Sequence, residues 1–258
     1  MYNEKDIISK WNSEMYDCNE TETDDVEFAL AVIGNKPKRI LEIACGSGRF
    51  LVPMAEAGHD VTGLDFDDYM LDKISGKISS AQNIQWRKLD VINEEWGTGF
   101  DVVLLAANFL FNIVSDMDYE QAQELMIKKA SAALVSGGHV LIDYSHTFHP
   151  EQWFQNPEPN VIWQGTDSEE NFGKMVLLNS TYDANTGITQ SIRRFEMKLA
   201  DGSSFAQEIP VRKHFASLEQ VHTWLEQARF VIENEWGDYY GNPISENTHR
   251  AIIWARKK

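Results

Sequence analysis

The spacing of apolar positions divides the chain into three stretches. Over the first 36 residues apolar side chains recur at helical intervals, which predicts helices over 5–12 and 24–34. The second of these opens on Asp24 and Asp25, acids suited to a helix first turn, and stops at Gly34 ahead of Pro37. From Arg39 the pattern alternates, with strands predicted at 39–45, 60–66, 84–90, 100–107 and 138–145 and helices at 48–58, 67–82 and 118–134. Strand–helix alternation of this kind builds a parallel sheet covered by helices on both faces.

The period changes after Pro150. There "KMVLLNSTYDANTGITQSIRRFEMKLADGSSFAQEIPVRKHF" reads as three strands joined by turns at "DANTG" and "ADGS". A helix over "SLEQVHTWLEQARF", with Ser217 as N-cap, and strands at 230–237 and 250–256 close the chain. The expected fold class is therefore α/β, a doubly wound, seven-stranded, mostly parallel sheet with an antiparallel β insert after the fifth strand. The expected domains are an N-terminal helical cap over 1–36, a nucleotide-binding domain over 37–150 and 216–258, and a β-rich, substrate-side insert over 151–215.

Composition narrows the partners. The chain has 258 residues, 43% of them hydrophobic, enough for a sizeable core. Its 23 Lys and Arg against 40 Asp and Glu give a formal charge of −17, which repels phosphate backbones and argues against a nucleic-acid partner. Cys18 and Cys45 lie far apart and show no metal-ligand spacing, so no metal site is expected and a reducing, cytoplasmic setting is. The N-terminus lacks the basic lead-in and apolar stretch of a signal peptide, and no apolar run approaches the roughly 20 residues that span a bilayer.

The chemistry is concentrated in "RILEIACGSGRF". Glycines after a buried strand allow a tight turn and let a ligand approach main-chain N–H groups at the start of the next helix. The following strand ends "VTGLDF" and places Asp65 19 positions after Gly46, where open α/β sheets put an acid for ribose hydroxyls. A dinucleotide fingerprint needs a third glycine, but Leu51 occupies its place, which disfavours NAD and with it a nicotinamide-dependent oxidoreductase. There is also no lysine with Ser or Thr to complete a P-loop. A ligand with ribose but no pyrophosphate remains, and S-adenosylmethionine meets that description. Asp65 alone reads equally as a cap for the helix beginning at Asp67 and Asp68.

Together "RILEIACGSGRFLVPMAEAGHDVTGLDFDDYML", "WRKLDVINEEW", "FDVVLLAANFLFNIVSD" and "LVSGGHVLIDYS" resemble the class I S-adenosylmethionine-dependent methyltransferases, whose sheet is Rossmann-like. "MYD" at 15–17, the β insert and "HRAIIWARK" are similar to the small-molecule branch that includes glycine and amino-sugar N-methyltransferases. The resemblance implies that Glu42 and the backbone from Ala44 to Gly46 face the methionine portion of the cofactor, with Gly48 a further cofactor-binding residue. Asp65 would hold the ribose hydroxyls, Phe66 the adenine face, and Asp90 and Val91 the adenine edge. Ala106 and Asn108 would border the transferred methyl, and Tyr16 would close over the cofactor. Phe66 reads equally as core, Asp90 as a turn cap and Tyr16 as helix packing.

Methyl transfer from a sulfonium needs a nucleophile held in line and water kept out. An amine acceptor must be neutral to attack, so a base helps before transfer. Tyr144 and His146 are the catalytic candidates, in "DYSHTFHPEQWF", at the carboxyl end of the fifth strand where ligands collect in open sheets. His149 and Trp153 lie in the same stretch, and Tyr182, Arg193, Arg194 and His214 are candidates to line the insert. The "AANF" at 106–109 lacks the proline-rich element of amino-directed nucleobase methyltransferases, and two cysteines are too few for arsenic methylation. The expected function is methylation of a small-molecule acceptor, chiefly at nitrogen, with a non-catalytic S-adenosylmethionine-binding sensor or partner subunit as the alternative.

Overall fold

A computed structural model describes residues 3–78 and 83–258. In chain order the elements are α1 (Glu4–Asn19), α2 (Asp24–Ile33), β1 (Arg39–Ile43), α3 (Leu51–Glu56), β2 (Asp60–Asp65), α4 (Asp68–Leu71), α5 (Ile74–Lys77) and β3 (Ile84–Lys88). Then come β4 (Phe100–Leu105), α6 (Phe109–Asn112), α7 (Tyr119–Ala133), β5 (Leu134–Ser145), α8 (Pro150–Phe154), β6 (Asn160–Thr166) and β7 (Phe172–Asp183). The chain closes with β8 (Ile188–Lys198), β9 (Ser204–His214), α9 (Leu218–Gln227), β10 (Phe230–Trp236) and β11 (Arg250–Lys257). They fall into two compact units, Thr23–Phe148 with Ala216–Lys258, and Met1–Glu22 with His149–Phe215.

The larger unit holds a seven-stranded sheet in the order β10-β11-β5-β4-β1-β2-β3, in which only β11 runs against the rest. Its central strands are apolar on both faces because helices cover both. Leu41, Ile43, Val103, Leu105, Val140 and Ile142 face a core shared with α7 and α9, while Ile40, Val102, Leu104 and Leu141 face one shared with α2 and α3. The order reverses between β1 and β4, and at such a switch point the outgoing connections diverge and leave a crevice at the strands' carboxyl ends. Ser217 and Gln220 form the reciprocal cap that starts α9, as their spacing predicts.

The smaller unit is a four-stranded antiparallel sheet, β6-β7-β8-β9, with α1 lying on one face. Ile8, Trp11 and Met15 of α1 bury themselves against Met175, Phe195 and Met197. Trp11 also donates its indole N–H to the carbonyl of Gly165 at 3.0 Å. Two glycines make this seat, since a Cβ at Gly173 would stand 2.3 Å from the Trp11 ring and one at Gly165 would stand 2.7 Å from the Met15 sulfur. Thus α1 falls in the unit of the insert and α2 in that of the large sheet.

Several boundaries differ from the sequence reading, each for a local reason. The first helix runs on to Asn19. The helix expected over 48–58 is only Leu51–Glu56, because Gly48 adopts φ +84°, outside helical space. The one expected over 67–82 is two short helices, α4 and α5, and its predicted positions 79–82 lie outside the described residues. The insert has four strands rather than three, since "NVIWQGT" lacks the clean alternation that marks an edge strand. Among the described residues no helix is long and apolar enough to cross a membrane, and no group of three or more His, Cys, Asp or Glu is placed to hold a metal ion.

The Trp11 seat is directly testable. Gly173→Ala forces the indole aside and should lower stability by about 1–3 kcal/mol in urea denaturation; an unchanged midpoint would show that α1 does not depend on this contact.

Candidate functional site

The turn that follows β1 is held by a few main-chain contacts. Ala44, Gly46 and Gly48 all have left-handed backbone, at φ +56°, +53° and +84°. This is ordinary for the glycines and costs an alanine of order 1–3 kcal/mol. A Cβ at Gly46 would meet nothing within 4 Å, so the main chain there is open to a ligand, whereas at Gly48 it would come within 3.2 Å of Ile74 and Val52. Gly63, midway along β2, lets the turn settle on the sheet, because a Cβ there would stand 2.7 Å from the Cys45 sulfur.

Asp65 locks this arrangement. Its Oδ2 accepts from the Gly46 amide at 2.8 Å and its Oδ1 from the Asp67 amide at 2.9 Å, joining the β1 turn to the end of β2. Burial raises its carboxyl above the usual range, against the opposing pull of these amides. Phe66, the next residue, is 62% exposed and therefore not core. Glu42 is 5% exposed and its Oε2 has no hydrogen-bond partner. Burial pushes its carboxyl well up, opposed by Arg49 and reinforced by Asp65. Arg49 itself forms a two-pronged pair with Asp25 in the first turn of α2, at 2.7 and 2.6 Å.

The ends of β4 and β5 form the other side of the switch point. Ala107 and Asn108 are consecutive left-handed residues, at φ +51° and +63°, following the buried Ala106. Asn108 earns that conformation by tying the strands together, its N–H donating to the Asp143 carbonyl at 3.1 Å and its Oδ1 accepting from the Ser145 amide at 3.0 Å. Tyr144 is buried in the core on the α7 side, its hydroxyl without a partner, and burial and Glu235 raise its pKa. His146 is 2% exposed, with neither ring nitrogen hydrogen-bonded, set edge-on to Phe148 with centroids 4.7 Å apart. Burial and the nearby His222 lower its pKa below 6.5, so the imidazole is neutral at pH 7.

The remaining predicted residues are placed separately. Asp90 is exposed, and its carboxylate accepts from the amides of Ile92 and Asn93 and from the Asn93 side chain, the turn-cap arrangement. The Val91 carbonyl accepts from Trp96 and Lys129. In the smaller unit Tyr16 lies on α1 with its ring 6.1 Å from Trp163, and Trp153 stands against Phe215.

Sequence reasoning missed a polar group beside Glu42's face of the sheet. Asp143, 3% exposed on β5, accepts from the Tyr239 hydroxyl at 3.0 Å and from Arg250 at 2.6 Å. Burial raises its carboxyl and Arg250 opposes this. The signal was available: a lone acid inside the apolar run "VLIDYS" requires a buried partner.

Residues 40–138 match the Methyltransferase domain family. A Geobacillus sp. (strain WCH70) protein described as a methyltransferase is 23% identical over 222 residues, covering 85% of each chain. Among solved structures, an S-adenosylmethionine-dependent methyltransferase from Clostridium acetobutylicum ATCC 824 superposes with a TM-score of 0.71 at 14% identity, over 99% of both chains. A sugar N-methyltransferase from Streptoalloteichus sp ATCC 53650 gives 0.69 at 15% identity, over 94% of this chain and 91% of that one.

Glu42 carries a pH signature. Its folded pKa lies above the ordinary 4.5, so the folded chain binds this proton more tightly than the unfolded chain, and stability falls as pH rises from about 4.5 through the raised value. Glu42→Gln should flatten the decline of the urea midpoint as pH rises above about 4.5, with Asp65 and Asp143 retaining part of it; an unaltered slope would mean Glu42 is solvated.

Proposed function

We propose that this chain, a class I S-adenosylmethionine-dependent methyltransferase, transfers the methyl group to a nitrogen of a small-molecule acceptor. The observation that carries the cofactor reading is the pairing of an open, left-handed glycine turn with a buried carboxylate oxygen that has no partner. Glu42 Oε2 fits the ammonium of the cofactor's methionine portion, which would satisfy a group now buried at a cost of several kcal/mol. The main chain from Ala44 to Gly48 would lie against the same portion. Asp65 accepts one amide hydrogen bond on each oxygen, with a weaker pull from the Phe66 amide, and its carboxylate keeps acceptor capacity for a ribose hydroxyl. The exposed Phe66 ring offers a face for adenine. Asp90 and Val91 would border its edge, Asp90 through what its turn leaves free.

When bound, S-adenosylmethionine supplies a methyl group already made electrophilic by a positively charged sulfur. The protein's remaining tasks are to position the acceptor, exclude water and take a proton. Ala106 and Asn108 would border the methyl, and the strained pair at 107–108 fixes that border, as strained backbone at switch points commonly does. His146 would take the acceptor's proton. Its enclosure among Tyr144 and Phe148 keeps it unprotonated at pH 7 and therefore able to accept the proton that an amine gives up on methylation. The sugar N-methyltransferase likeness supports nitrogen over oxygen.

Three measurements test this reading. Asp65→Ala should weaken S-adenosylmethionine binding in calorimetry by about 10–100-fold, on the order of 1.5–3 kcal/mol, and NAD should not bind; unchanged affinity, or binding of NAD alone, would reject the site. A metabolite extract incubated with the protein and methyl-labelled cofactor should yield a product heavier by one labelled methyl, and its absence across extracts would favour a sensor. With that acceptor, His146→Gln should lower kcat by about 10²-fold or more without changing cofactor affinity, and wild-type activity should persist below pH 6.5, failing only under the histidine's lowered pKa.

A further inference from the structure

Arg193 and Arg194 are neighbours on β8, so their side chains leave the sheet on opposite faces. Arg194 is neutralised twice, by Glu196 at 2.9 Å and by Glu208 at 3.1 Å. Arg193 has no ion pair among the described residues, and its Nε is buried without a hydrogen-bond partner. Burial alone pulls its pKa below the ordinary guanidinium value. The neighbouring strand therefore offers a carboxylate to the outer arginine and none to the inner one.

The inner face adds a second cation. In the register of β8 with β9, Thr189 stands opposite Lys213, Ser191 opposite Val211 and Arg193 opposite Ile209, which puts Lys213 and Arg193 on one face with the Ser191–Val211 row between them. Lys213 is pushed down to about 8, first by burial and then by the positive charge of Arg193. In the same row Tyr182 of β7 stands beside Thr189, and its ring is inclined 27° to that of Phe154, with centroids 6.0 Å apart. Arg193 and Lys213 thus share one face with Ser191, Thr189 and Tyr182, and with the aliphatic Leu177, Ile209 and Val211.

We propose that this face of the insert binds the oxyanion group, carboxylate or phosphate, of a small molecule, with Arg193 as a planar fork and Lys213 as a point charge beside it. A desolvated guanidinium with an unpartnered Nε and a second cation on the same face is expensive to maintain, and an arriving anion relieves both the desolvation of Arg193 and its repulsion with Lys213. On a chain of charge −17 the long-range field disfavours anions, so capture depends on local, matched donors of this kind. Arginine presents parallel N–H groups to two oxygens at once, which selects an oxyanion over chloride. The proposal stands on the insert alone and does not require the methyl-transfer reading.

The test titrates the full chain with sodium phosphate or sodium acetate, at ionic strength fixed with sodium chloride, and follows amide NMR shifts. At least one of the two should saturate, and which one does distinguishes phosphate from carboxylate recognition. Arg193→Gln and Lys213→Gln should each weaken that binding by about tenfold or more, and Arg194→Gln should leave it unchanged. Saturation by neither anion overturns the proposal. So does wild-type affinity in Arg193→Gln, or an equal loss in Arg194→Gln. Should Arg193→Gln fail to fold, Lys213→Gln decides. S-adenosylmethionine titrated into the same variants reports separately on the nucleotide domain, where wild-type affinity is expected.

Discussion

One carboxylate bridges the mouth of the large sheet. By accepting from Gly46 and Asp67, Asp65 makes the turn after β1 and the turn after β2 a single object. Without it, three left-handed residues in close succession would be a loop free to sample other shapes. The link explains why the glycine at position 63 is needed as well, since the turn can approach Asp65 only if the strand beneath has no side chain there. Main-chain geometry, electrostatics and the proposed ligand contacts all follow from that bridge.

The large sheet was legible because its strands are apolar without interruption and its connections carry strong stops. The glycine turn and Asp65 were legible for the same reason, as punctuation between elements. What escaped was of another kind. Gly48 ends helical reach at its N-terminal side, a matter of φ that composition does not display. The edge strand β6 gains its place from pairing with β7, a non-local contact with little trace in "NVIWQGT". The division of the first two helices between two compact units likewise depends on which surface each finds, Trp11 on Gly173 and Val26 in the core of the sheet.

Within the site, the sequence singled out the glycine turn, Asp65 and Phe66 by type and position. It did not show that Asp65 ties the two turns together, and it left open whether Asp90 caps its own turn, which the structure shows it does. Nor did it reveal the companions of the buried charges, Asp25 for Arg49 and the Tyr239–Asp143–Arg250 group, whose members are distant in sequence and meet only through topology. Ala107 and Asn108 belong in this class too: their strained backbone persists because Asn108, just past β4, bonds twice to the end of β5, at Asp143 and Ser145.

The place of α1 in the insert's unit bears on exchange of inserts between relatives. A graft of residues 149–215 alone would carry away the glycine-lined groove while leaving its tenant behind, a helix whose Trp11, Ile8 and Met15 would lose their common cover. The smallest transplantable piece is therefore discontinuous, the leading helix together with the four strands, and chimaeras that respect the linear boundary should inherit a mismatched interior.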